Sequence, residues 1–259
     1  MSQKPLILAV ETSGRTGSVA IALGEQMLAE SLFSQPMKHS AEVFPAIQSL
    51  LERFDRQPKQ IEHVYVSVGP GSFTGLRIAV TLAKMMHLTN AAKLVAVDTL
   101  DVIAANATDY VKEKYTQLDQ IATILDAKRS QFFIALYRPL SKSTDARNQQ
   151  QPLKIGQGDT NHRTWEKICP DSLLTASQFL ETCTDTKRST WLLGEGLLYY
   201  EDKFKADGIR FLDKQYWNPQ ASKVHLLGWE KASAKHFADP LKLQPTYLRA
   251  PDVTIKRQK

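Results

Sequence analysis

The chain has 259 residues, 42% hydrophobic and 23% charged, a balance that suits a folded globular protein and excludes global disorder. A formal net charge of +6 permits a nucleic-acid partner without requiring one. Two cysteines, Cys169 and Cys183, and no CxxC spacing give no zinc or redox motif; no apolar run approaches the ~20 residues of a membrane helix, and no signal-peptide pattern precedes the first strand, so a cytoplasmic location is expected.

In chain order, Leu6–Glu11, Ser18–Leu23 and Met27–Ser34 read as an antiparallel meander, joined by the Gly/Ser/Thr-rich turn 12–17 and the tight turn 24–26. A helix opens at His39 with Val43, Ile47, Leu50, Leu51 and Phe54 on one face, and Pro45 either lies in its first turn or kinks it. A short strand, Val64–Val68, runs into the loop Gly69–Gly75. A helix over about 74–88, a strand at Leu94–Val97 and a helix over about 99–107 follow.

A second half begins near Asp119. Ile121–Asp126 and Gln131–Tyr137 read as paired strands around the turn 127–130. The polar stretch 139–152 reads as an exposed loop. A helix is expected near 171–181, a strand at 191–194 and a helix over about 222–238, stopped by Pro240 and able to pack back on the first lobe. The basic tail 256–259 is expected to fray. The lobes are expected at 1–107 and 108–221, with the 222–238 helix completing the first and 239–259 as a closing segment. No internal repeat is visible.

The most informative stretch is Gly69-Pro70-Gly71-Ser72-Phe73-Thr74-Gly75, between a strand and a helix. Glycines admit unusual backbone angles and the free N–H groups of a helix start hold anions, so Gly69, Gly71, Ser72 and Thr74 form a candidate anion loop. The P-loop and dinucleotide templates both fail here, the second because Thr74 stands where a glycine is needed. The alternative is a tight strand-to-helix turn capped by Ser72 or Thr74. The helix that follows is apolar around most of its circumference, with a small-residue ridge at Gly75, Ala79 and Ala83. It is either buried within its own chain or shared between its sheet and a partner protein.

Ile7–Ser13, Ser18–Ala20, the helix from His39, the GPGSFTGLRI string at 69–78, Asp126–Arg129 and Pro245–Arg249 together resemble the TsaB family, most strongly over 6–105. The resemblance implies an α/β, actin-like ATPase (ribonuclease H-like) fold of two lobes, with mixed sheets flanked by helices. It implies a non-catalytic subunit in the threonylcarbamoylation of the adenosine beside the tRNA anticodon. Its implied partners are a metal-bearing catalytic paralogue of the TsaD type, a TsaE-type ATPase and a second copy of itself, with tRNA as substrate of the complex. The docking surface falls on the helices at about 39–54 and 74–88, with His39, Glu42, Val43, Ile47, Gly75, Ala79, Ala83 and Met86 as candidate contacts. No cofactor is assigned to the chain itself, a nucleotide at the partner interface being left open.

The competing reading is an active enzyme, a metal-dependent threonylcarbamoyltransferase or an ATPase. The catalytic paralogue places a histidine pair, four residues apart, where this chain has Thr99 and Ile103, and no two of its six histidines share that spacing. Glu11 stands where actin-like kinases keep an acid near phosphate, but Asp126–Arg129 lacks the glycines of a second phosphate loop. Asp98 and Asp101 read as acids at a helix start. Lys128 and Arg129 are either tRNA contacts or a charged turn, and Tyr199 and Tyr200 read as core or rim packing. No HExxH and no assignable Ser-His-Asp arrangement support a peptidase.

Overall fold

The computed structural model describes residues 4–114, 116–140, 165–182 and 188–249. The first half comprises β1 (Leu6–Glu11), β2 (Ser18–Leu23), β3 (Gln26–Leu32), α1 (His39–Arg53), β4 (Ile61–Gly69), α2 (Phe73–Asn90), β5 (Lys93–Asp98) and α3 (Thr99–Lys114). The second comprises β6 (Gln120–Asp126), β7 (Phe132–Pro139), β8 (Trp165–Leu174), α4 (Ala176–Thr182), β9 (Thr190–Leu193), β10 (Ile209–Phe211) and α5 (Ala221–Ser233). Two 3-10 turns, Glu195–Leu198 and Glu201–Phe204, lie between β9 and β10.

The first sheet has the order β3-β2-β1-β4-β5 and the second β10-β9-β6-β7-β8. β1 pairs antiparallel with β2 and parallel with β4; β6 pairs antiparallel with β7 and parallel with β9. Taken from its β8 edge, the second sheet therefore repeats the first. This duplicated pair of mixed sheets is the two-lobe actin-like arrangement that the sequence resemblance implies.

Alternation along β1 explains how the first sheet is covered. Leu6, Leu8 and Val10 face one way, into a core with Val43, Ile47, Ala79 and Ala83 of α1 and α2. Ile7 and Ala9 face the other way, into a core shared with α3, α5 and the second sheet. A strand clad on both faces needs apolar residues throughout, which is what its sequence supplies. α5 packs across β1, β2, β4 and β5, so the last helix closes the first sheet, and α3 lies between the sheets against α5.

The largest differences from the sequence reading are at three helices. The helix expected near 171–181 is a strand through Leu174, with α4 confined to Ala176–Thr182. β8 is an edge strand, where Pro170 is tolerated, and Ser172 and Leu174 pair with Ile134 and Phe132 of β7. α3 runs on to Lys114 because Tyr110 continues its buried stripe against Trp191 and Tyr216. α5 stops at Ser233, not 238: Lys235 turns left-handed at φ +61°, and Ala238 bridges back to Leu94. Pro45 lies inside α1 rather than in its first turn. Most of the 139–152 stretch and the tail 256–259 lie outside the described residues. Among the described residues no helix is long and apolar enough to cross a membrane.

Gly228 of α5 lies against the buried Tyr65 ring, so a methyl group there has no room. Gly228→Ala is expected to lose about 1–3 kcal/mol in urea unfolding despite its better helix propensity.

Candidate functional site

The loop between β4 and α2 is zipped to the turn between β1 and β2. Ser72 N–H donates to Ser13 O at 2.7 Å, and Thr12 Oγ1 donates to Gly75 O at 2.7 Å. A Cβ on Gly71 would stand 2.6 Å from Ser13 O, and one on Gly75 would overlap Thr12 O. Gly69, at φ +121°, meets the closing segment instead: its Cβ would lie 2.6 Å from Thr246 O, and Thr246 N–H donates to Val68 O at 2.6 Å. The glycine string is thus required by backbone-to-backbone approach on two sides. Ser72 caps α2 by accepting from Gly75 N–H at 3.3 Å, and Thr74 is exposed in the first turn. Of the N–H groups an anion would use in this loop, those of Ser72 and Gly75 are already engaged within the chain.

The expected docking residues are largely inside. His39 is 3% exposed, bonds through Nε2 to Gly14 O at 3.0 Å and lies against Phe33. Burial pushes its pKa below the ordinary value, so the ring sits neutral. Val43, Ile47, Gly75, Ala79 and Ala83 are also buried: the small-residue ridge brings α2 close to its own sheet and to the Thr12 turn. These six positions are therefore corrected from contact residues to core residues. Glu42 is half-buried and accepts from Ser34 N–H at 2.6 Å and Gln35 N–H at 3.0 Å; Met86 is half-buried too. The open face of α2 carries Phe73, Arg77, Thr81, Met85 and Leu88, with Leu88 81% and Met85 49% exposed, and α1 adds the exposed Phe44. Arg77 lies over the Phe73 ring at 3.7 Å and donates through Nε to Tyr247 Oη at 3.3 Å. Helical spacing identified this helix; which face is open required the position of its sheet.

Two carboxylates sit on either side of the same turn. Glu11 is fully buried and accepts from Ser13 N–H at 2.6 Å and from the Ser13 and Ser67 hydroxyls. Burial raises its pKa against those bonds. Glu195 reaches across from the second lobe. Its Oε2 accepts from Arg15 N–H at 2.7 Å, and its Oε1 is buried without a partner. A Cβ on Gly14 would stand 2.9 Å from Pro219 and 3.0 Å from both Glu195 oxygens. Burial, with Glu11 nearby, raises the Glu195 pKa to about 7. The sequence reading missed this residue; an acid between two glycines in the apolar run Trp191–Leu198 was the available signal.

A second charged cluster lies where α3 begins. Asp98 Oδ1 caps α3 by accepting from Leu100 N–H at 2.8 Å. Lys167 of β8 stands 2.8 Å from Asp101, 2.6 Å from Asp171 and 3.6 Å from Asp98, and Tyr137 Oη donates to Asp101 at 2.9 Å. Burial raises the Asp98 pKa, and hydrogen bonding with Asp171 and the charge of Asp101 add to it. Thr99 and Ile103 are both buried, and Ile103 has no lone pair to offer, so this stretch does not fit the histidine-pair metal site of the catalytic paralogue.

Both clusters make measurable claims. Glu195 binds its proton more tightly folded than unfolded, so its contribution to stability is complete below pH 4.5 and is lost as the pH rises to about 7, by about 2–3 kcal/mol. Glu195→Gln should match the parent chain near pH 5 and exceed it near pH 8; parallel urea-unfolding curves at the two pH values would exclude the titration. Lys167→Met leaves three aspartates without their shared cation and should cost about 3 kcal/mol at pH 7.5, read by the same unfolding measurement.

Comparison with known proteins agrees with this geometry. The family model for TsaD, tRNA N6-adenosine threonylcarbamoyltransferase, matches residues 26–237. A tRNA threonylcarbamoyladenosine biosynthesis protein TsaB from Bacillus subtilis (strain 168) is 30% identical over 254 residues, covering 96% of each chain. Its namesake from Buchnera aphidicola subsp. Acyrthosiphon pisum is 32% identical over 133 residues, 51% of this chain and 57% of its own. The solved structure of YeaZ from Pseudomonas aeruginosa superposes with a TM-score of 0.71 at 17% identity, covering 94% of this chain and all of that one. With a full-length relative at that identity and a family model spanning most of its length, the chain belongs to the TsaB family, within the wider TsaD-like group.

Proposed function

We propose that the chain is a non-catalytic subunit of tRNA threonylcarbamoyladenosine biosynthesis that binds and activates a TsaD-type catalytic subunit through the open face of α2. The observation that carries this is the set of large apolar side chains exposed on one face of α2, Met85 and Leu88 at its end and Phe73 at its start, with Arg77 and Thr81 between them. Such a stripe costs solubility unless a partner covers it. Membership of the TsaB family supports a TsaD-type subunit as the partner.

The interior supports the accessory role. Glu11 takes the Ser13 N–H and Glu195 the Arg15 N–H of the turn that a phosphate would need, and Thr99 and Ile103 stand where a catalytic subunit keeps metal ligands. Chemistry on ATP or on the threonylcarbamoyl group is therefore assigned to the partners, the TsaE-type ATPase among them, with tRNA as the substrate of the assembly in the cytoplasm. A second reading, self-association, uses the same stripe; the homodimer and the TsaD-type complex then compete for it.

Met85→Asp with Leu88→Asp changes only exposed side chains and should leave the fold intact. The double variant is expected to lose co-purification with a TsaD-type subunit and to fail in a reconstituted modification assay. Undiminished co-purification would remove the stripe from the interface, and a modification assay that runs equally well without the chain would remove the accessory role. Sedimentation of the chain alone separates the homodimer from the monomer.

A further inference from the structure

The turn joining β6 to β7 is unusual in its backbone. Lys128, Arg129 and Ser130 take φ +67°, +55° and +57°, three consecutive left-handed residues without a glycine among them. Each such residue costs energy, and a run of them persists only where the surroundings hold it. Here the surroundings do. Asp126 Oδ1 accepts from Lys128 N–H at 2.7 Å, Ala127 N–H donates to Gln131 O at 3.0 Å, and Gln131 N–H donates to Lys128 O at 3.1 Å. From the closing segment, the Arg249 guanidinium donates to the carbonyls of Ala127 and Lys128 and to the Gln131 side chain. The outcome is a rigid tip that holds Lys128 and Arg129 in solvent, with the Lys128 side chain 76% exposed despite its contact with Asp126.

An aromatic shelf lies beside that tip. Gly196 is pressed against Asp126, where a Cβ would be 3.0 Å from the Asp126 nitrogen, so the 3-10 turn it belongs to is seated on β6. The next residues are Tyr199, 69% exposed, and Tyr200, whose ring meets Phe132. Lys203 Nζ lies over the Tyr200 ring at 5.0 Å and donates to Ser130 Oγ at 3.3 Å, which ties shelf and tip together. Arg15 of the first lobe lies over the Tyr199 ring at 5.3 Å. The neighbouring acid Asp202 is neutralised by Lys205.

We propose that this tip and shelf form an RNA-docking surface, in which Lys128, Arg129 and Lys203 take phosphates of a tRNA and Tyr199, backed by Arg15, stacks on an unpaired base. Fixed cations beside a flat exposed ring are what an RNA strand uses: charge tracks the backbone, and the ring accepts the face of any base. An acidic protein surface would answer the cations but leave the shelf without a function. The choice of tRNA as the RNA rests on the proposed function; the surface itself does not.

The test is binding of tRNA to the whole chain, by filter retention at low salt and across a salt titration. Lys128→Gly with Arg129→Gly removes both charges while relaxing the left-handed backbone, so this variant folds at least as well as the parent. The parent is expected to bind with Kd between roughly 10⁻⁶ and 10⁻⁴ M. The double glycine variant should bind about tenfold more weakly, with the slope of log K against log salt reduced by about 2. Tyr199→Ala should weaken binding roughly tenfold with the slope unchanged. Arg56→Ala with Lys59→Ala, an equal loss of charge at the far end of β4, should have no comparable effect. Three results each overturn the proposal: no binding by the parent chain in that range, equal loss in the Arg56/Lys59 control, or polyglutamate binding as tightly as tRNA. Because no TsaD-type subunit is present, failure of the docking stripe leaves this measurement unaffected.

Discussion

The structure depends on the close approach of two backbones, the Thr12–Ser13 turn and the Gly71–Gly75 loop. Their contact is made by main-chain and hydroxyl hydrogen bonds at 2.7 Å, and it leaves no room for a Cβ on either glycine. Buried backbone groups must be paired, and here each segment supplies partners for the other. Once they are joined, α2 can start only where Ser72 caps it. The carbonyl of Gly14 is then presented to His39, and Glu11 is closed in behind Ser13 and Ser67. A helix start, a helix entry and a buried acid all follow from one join.

That join gives the fold an unusual economy of charge. In a two-lobed protein of this kind the turn after β1 offers N–H donors toward the second lobe, a natural place for an anion. This chain answers its donors with its own carboxylate, Glu195, at the cost of a buried acid with an elevated pKa and one unpartnered oxygen. On the exterior the chain shows exposed apolar side chains on α2 and, on the second lobe, basic side chains beside exposed Tyr199.

The two lobes are also tied by longer reaches. Lys167 of β8 holds Asp98 and Asp101 at the start of α3, and α3 itself is packed between the sheets. The segment after α5 seats Leu243 in the first core, bonds Thr246 to the end of β4 and carries Arg249 to the tip of the β6–β7 turn. One short stretch therefore touches both α2, through Tyr247 on Phe73 and Arg77, and the tip of the β6–β7 turn. Its order comes from these specific partners, Leu243 in the first core among them.

Much of this was legible in the residues alone. The apolar runs at 6–11, 18–23, 121–126 and 131–137, the glycines at 69–75 and the helical spacing at 39–54 determined most of the elements and carried the family resemblance, which in turn implied the two lobes, because period and turn chemistry are local properties. The repetition of one sheet order in both lobes was not legible, since pairing is made between residues far apart and leaves no periodic mark. The edge position of β8 decided that 171–174 is a strand. The sides of α2 were decided only by what it packs on: small residues look alike whether they admit a neighbour's backbone or the chain's own. Ala79 and Ala83 went inward and Leu88 outward for that reason. Glu195, 184 residues beyond Glu11 in the chain, meets the same turn only because the second lobe folds over the first.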